Sequence, residues 1–138
     1  MKAQLPAPAS QSIPATVWVD VCGLGDLVPE RGVAALVGHH QVAIFRVPSD
    51  GAPADGASDN GDSDAELFAL SNFDPFSKAF VMSRGIVGTR GDTLKVASPV
   101  YKQSFDLRTG GCLDDPDVSL PTFDVRTVDG RVQVALPT

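Results

Sequence analysis

TFDVRTVDGRVQVAL, residues 122–136, is the stretch whose reading settles the fold class. Phe123 and Val125 before the centre, and Val132, Val134 and Leu136 after it, recur at every second position, the period that puts alternate side chains on one face of a strand. Between the two runs stands Asp129-Gly130. Two residues of this kind between β-forming runs predict a hairpin with a type I′ turn. Both central positions then need positive φ, which glycine adopts freely and aspartate tolerates.

Outward from that hairpin the same period recurs. TVWVDV, residues 16–21, alternates, with Val17, Val19 and Val21 on one face and Thr16, Trp18 and Asp20 on the other. Val33–Val37, Gln41–Val47 and Glu66–Leu70 are further short apolar runs bounded by Gly, Pro, Asn or Asp. No window of a dozen residues keeps a helical period with caps; the helical candidate is one short turn from Gly25 to Val28, ended by Pro29. With 13 Gly and 11 Pro as punctuation, the pattern predicts an all-β fold, an antiparallel sandwich or barrel of short strands.

A chain of 138 residues, 43% apolar and 20% charged, is the size and composition of one globular domain with a self-sufficient core. Residues 16–138 read as that domain. Residues 1–15, with one Lys, three Pro and no apolar run, read as a flexible lead-in and not as a signal peptide. No run approaches the roughly 18 apolar residues of a membrane helix, so the expected setting is cytoplasmic, with no membrane contact. The net charge of −6 is concentrated: Asp50, Asp55, Asp59, Asp62 and Asp64 fall in the low-complexity segment 48–64, and the remainder is close to neutral. That segment separates IFRV from ELFAL and reads as a flexible acidic hairpin loop; the ligand order of an EF-hand fits no register of it. Without a basic stripe, nucleic-acid binding is not expected.

The usual reactive constellations are missing. There is no GxSxG, HExxH or P-loop pattern. Cys22 and Cys112, 90 positions apart, read as reduced, mostly buried thiols. His39 and His40 would point to opposite faces of a strand and have no nearby third donor. Asp114-Asp115-Pro116-Asp117 reads as a surface turn.

One stretch carries more. Ser98-Pro99-Val100-Tyr101, followed by FDLRTG at 105–110, resembles the second cluster-binding loop of Rieske-type ferredoxins, where a Cys-Pro-x-His segment precedes such a turn. The first Rieske loop, Cys-x-His, would fall on Asn72-Phe73-Asp74. The four positions matching the ligands therefore hold Asn72, Asp74, Ser98 and Tyr101, and none is a thiol or an imidazole. A Rieske centre needs two of each, so no cluster, no other cofactor, no metal and no catalytic residue is expected in this chain. A ligand-free Rieske-like domain resembles one family closely, the small subunit of assimilatory NAD(P)H-dependent nitrite reductase. DPFS (74–77), SRGIVG (83–88), ASP with KQ (97–103) and GCLDDP (111–116) all resemble it, as do Trp18, GVAALV and QVAIFRV.

The resemblance implies a Rieske-like β domain acting through a partner, a large subunit that carries sirohaem, an iron-sulfur cluster and a flavin (FAD). That subunit would reduce nitrite to ammonium with NAD(P)H. The loops hold Asn72, Phe73, Phe76, Phe80, Arg84, Tyr101 and Lys102, and aromatic and Arg side chains are the types that anchor interfaces. Arg84, Lys102 and Phe76 are the expected partner contacts, although Phe73, Phe76 and Phe80 would equally suit the core beneath. Two other readings compete: a redox-active ferredoxin component of a dioxygenase, which the missing ligands oppose, and a cluster-free β module serving another oxidoreductase complex.

Overall fold

The computed structural model describes residues 16–48 and 65–136. The expected lead-in, residues 1–15, and the acidic segment from 49 to 64 lie outside the described residues. Strand β1 spans Trp18–Gly23, β2 Gly32–Val37, β3 His40–Pro48 and β4 Ala65–Ser71. A small hairpin follows, β5 (Phe73–Asp74) with β6 (Ala79–Phe80), then β7 (Ile86–Arg90), β8 (Thr93–Ala97) and β9 (Ser104–Asp106). The chain ends in β10 (Thr122–Phe123), β11 (Val125–Val128) and β12 (Arg131–Ala135). Every pairing between these strands is antiparallel, as the sequence period requires.

Gln41–Val47 is nearly continuously apolar because the strand it forms is covered on both faces. A four-stranded sheet in the order β10-β4-β3-β2 occupies the middle. On one face of it Ala43, Phe45 and Val47 of β3, with Phe68 and Leu70 of β4, pack on Met82, Val96, Phe105 and Leu107. On the other face Val42, Ile44 and Ala69 pack on Leu24, Leu27, Val132 and Val134. The outer layers are the sheets β9-β8-β7 and β11-β12-β1. Burying such aliphatic and aromatic side chains contributes roughly 1.5–3 kcal/mol each, so this central sheet is the frame from which the loops project.

The hairpins explain the chain reversals. Asp129 and Gly130 have φ of 50° and 78°, and Val128 pairs with Arg131 across them, the type I′ turn expected there. Two further two-residue turns, Gly38-His39 and Gly91-Asp92, place glycine first with φ of 61° in each, the II′ arrangement. β3 and β4 pair from Val42–Ser71 to Pro48–Ala65, so Pro48, expected at the start of the acidic loop, is the last residue of a strand. β1 begins at Trp18 and not at Thr16. Val17 is half-exposed, and a bulge near Val21 turns both Val21 and Cys22 onto the core. The helical turn is a 3-10 turn at Leu24–Asp26, one residue earlier than expected, because the Asp26 carboxylate accepts from the Gly23 N–H and fixes its start.

Candidate functional site

Three segments fold into loops of one design. In Asp74–Lys78, Ser98–Lys102 and Asp106–Gly110 the N–H of the fifth residue donates to the carbonyl of the first, at 2.7, 3.2 and 2.7 Å. In each, the first side chain accepts from the N–H two residues on: Phe76 to Asp74 Oδ1 at 2.9 Å, Val100 to Ser98 Oγ at 3.2 Å and Arg108 to Asp106 Oδ1 at 2.8 Å. Short oxygen-bearing side chains make this local cap, which is why Asp or Ser opens each loop. The fifth residue is left-handed in all three, with φ of 61° at Lys78, 70° at Lys102 and 80° at Gly110. Glycine is required at the third for space as well, since a Cβ there would lie 2.0 Å from the Leu120 carbonyl oxygen.

The first two loops are the ones that match the Rieske ligand segments, and they are joined directly. Ser98 Oγ donates to Asp74 Oδ2 at 2.5 Å, and Ser77 Oγ donates to the same oxygen at 2.8 Å. Asp74 is fully buried and Ser98 is 1% exposed. Burial alone would raise the Asp74 carboxyl. The hydroxyls of Ser98 and Ser77 and the backbone N–H groups of Phe76 and Ser77 outweigh it and hold the group below the usual carboxylate range. Asn72, also buried, accepts from the Ser83 N–H on Oδ1 at 2.7 Å, while its backbone carbonyl accepts from the Met82 N–H. These bonds pin the 3-10 turn Met82–Arg84, with Met82 in the core and Arg84 in solvent. Gly32 lets that turn approach β2, because a Cβ there would meet the Ser83 carbonyl oxygen at 2.2 Å.

The donor set does not fit an iron-sulfur cluster. The side chains of Asn72, Asp74 and Ser98 are committed to hydrogen bonds within the protein, and Tyr101 is 61% exposed. An amide, a carboxylate, a hydroxyl and a phenol are hard oxygen donors where iron and sulfide need thiolates and imidazoles. Among the described residues no group of three or more His, Cys, Asp or Glu is placed to hold a metal ion. Cys22 and Cys112 are free thiols; burial, with Asp26 adding, pushes the Cys22 thiol up, away from a reactive thiolate.

Of the expected contact residues, Arg84 and Lys102 are exposed. Phe76 is half-buried against the core, its ring 6.1 Å from that of Phe105, whereas Phe80 is 53% exposed and leans on Phe73 at 5.1 Å. His40 packs its ring edge on Phe123 at 5.7 Å. Asp115 caps a turn to the Asp117 N–H, and Asp114 accepts from the Ser104 N–H, so the acidic 114–117 stretch is the surface turn expected of it. The repeated loop design escaped the sequence reading; its signal is the pair Asp-Pro-x-x-Lys and Ser-Pro-x-x-Lys at 74 and 98.

Comparison with known proteins agrees with this geometry. A family model described as a Rieske-like [2Fe-2S] domain matches residues 17–135. The small subunit of NADH nitrite reductase from Escherichia coli (strain K12) is 41% identical over 117 residues, 85% of this chain and 95% of that one. A crystal structure of an NADH-dependent nitrite reductase small subunit from Mycobacterium tuberculosis superposes with a TM-score of 0.75 at 42% identity, covering 91% of this chain and 99% of that one. The large subunit of a Klebsiella oxytoca NAD(P)H nitrite reductase is 31% identical over 128 residues, 93% of this chain but 12% of that protein.

Proposed function

Because the chain belongs to the Rieske-like domain family, and within it to the small subunits of NAD(P)H-dependent nitrite reductase, we propose that it works as a non-catalytic subunit bound to the sirohaem large subunit. In this reading the large subunit supplies sirohaem, iron-sulfur cluster, FAD and NAD(P)H sites and reduces nitrite to ammonium in nitrate and nitrite assimilation. The small chain supports it in the cytoplasm. The observation that carries the reading is the Asp74–Ser98 bond: the two loops that would hold a cluster are joined by side chains that leave no ligands for one. The Klebsiella oxytoca relative adds support, since there a domain similar to this one is a 12% portion of the large subunit itself. Arg84, Lys102 and the half-buried rim of Phe76 are the contacts assigned to the partner, with residues 16–138 as one domain.

The test is co-elution of the chain with the large subunit of the same organism, followed by nitrite-dependent NAD(P)H oxidation with and without it. A shared peak, a chain that stays colourless after anaerobic treatment with iron and sulfide, and turnover that depends on the complex are expected. Arg84→Glu should weaken the complex without changing the melting temperature. Separate peaks and unchanged turnover would overturn the reading, and a visible charge-transfer band in the isolated chain would replace it with a redox-active one.

A further inference from the structure

The end of the molecule that carries the loops at 74–78 and 98–102 differs from the rest in charge. Residues 72–86 and 97–103 contain the cations Lys78, Arg84 and Lys102 and a single carboxylate, Asp74. That carboxylate is buried and engaged by Ser98, Ser77 and Phe76, so these segments expose only positive charge, on a chain of net charge −6. None of the three cations has an ion-pair partner among the described residues. The same segments expose Phe80 (53%), Ile86 (66%), Val100 (45%) and Tyr101 (61%). Ile86 pairs with Ala97, immediately before Ser98, and Phe80 with Phe73, immediately before Asp74, so both flank the joined loops.

A second observation concerns the backbone. Lys78 and Lys102 hold φ of 61° and 70°, a region where a side chain is strained and glycine is not. Both loops thus keep a long cationic side chain where the local conformation favours none, and strain of this kind persists at sites that use the side chain. We propose that Lys78, Lys102 and Arg84 form the cationic rim of a docking face centred on Phe80, Ile86, Val100 and Tyr101. Its occupant is a protein surface with an apolar centre and an acidic edge. The proposal rests on the small-subunit reading and assigns that surface to the large subunit. A cluster of exposed cations at one end orients the approach of an acidic surface, and exposed charges of this kind act more weakly as salt rises.

The test measures binding of the full chain to the purified large subunit by calorimetry, at low and at high salt. Lys78→Gly with Lys102→Gly removes two charges and relieves the backbone, so this variant should melt at or above the wild-type temperature. It should bind about tenfold more weakly at low salt, the size expected for two rim charges, and lose affinity less steeply with salt. Ile86→Glu, an exposed change, should keep the melting temperature and abolish binding by setting an acid against an acidic edge. Arg126→Gln, on β11, should bind as wild type does. If the wild-type chain binds and both face variants bind equally well, the docking face is wrong and the small-subunit reading stands. If the wild-type chain does not bind at any salt concentration, the small-subunit reading itself fails.

Discussion

Replacing Asp74 tests what joins the two loops. Asp74→Ala deletes an acceptor for Ser98 Oγ at 2.5 Å, Ser77 Oγ at 2.8 Å and the Phe76 N–H at 2.9 Å. Ser98 is 1% exposed, so its hydroxyl has no water to turn to, whereas Ser77 and Phe76 are half-buried and recover part of their hydration. One fully buried unpaired donor costs about 1–3 kcal/mol and two partly wetted ones about 0.5–1 kcal/mol each, roughly 3 kcal/mol in all. For a domain of this size that is a fall of about 10 °C in melting temperature. Asp74→Asn keeps the shape and the Phe76 bond but loses the charge, and should cost about 1–2 kcal/mol.

The pH dependence has a definite sign. The folded carboxyl is held below its ordinary value, so its stabilisation is complete above the unfolded value near pH 4 and is lost as pH falls through the folded value. The gap between wild type and Asp74→Asn in urea or thermal unfolding should therefore be constant above about pH 5 and close on further acidification. Melting of Asp74→Ala within a degree or two of wild type at neutral pH, or a wild-type-to-Asn gap that widens in acid, would refute the assignment of Asp74 as the joining group.

Two further variants probe the frame. Gly32→Ala forces a methyl to 2.2 Å from the Ser83 carbonyl oxygen, so the 82–84 turn must shift; a loss of about 2 kcal/mol or more in chemical unfolding is expected, with the complex weakened through Arg84. Arg108→Ala removes an exposed two-point pair with Glu66, at 2.8 and 2.9 Å, and the guanidinium lying over Phe68. Its cost should stay near or below about 1 kcal/mol and shrink with added salt in the same assay.

What was legible in the sequence followed from burial. β3 and β4 read as apolar runs because the central sheet is covered on both faces, and Asp129-Gly130 announced its hairpin because the turn itself demands those residues. β7 and β8 passed unread: Ile86 is exposed, Gly88 interrupts the run and Val87 is half-buried, so neither face alternates cleanly. The glycine-first turns at Gly38 and Gly91 carry a weaker sequence signal than Asp-Gly. At the site, the positions of Asn72, Asp74, Ser98 and Tyr101 were readable from the family pattern. The bond between Asp74 and Ser98 was not, because it joins residues 24 apart and has no periodicity. Phe76 could equally have been rim or core, and only the three-dimensional contact with Phe105 shows its inward lean.

The joining of the loops by side chains also sets the conditions under which the subunit can be made. A domain whose loops are closed by iron must wait for metal, sulfide and an assembly apparatus before its binding end takes shape, because metal affinity and folding are then one equilibrium. Here the closure is encoded in Asp74, Ser77 and Ser98, available as soon as the chain leaves the ribosome. The shape of that end is therefore indifferent to iron supply and to oxygen.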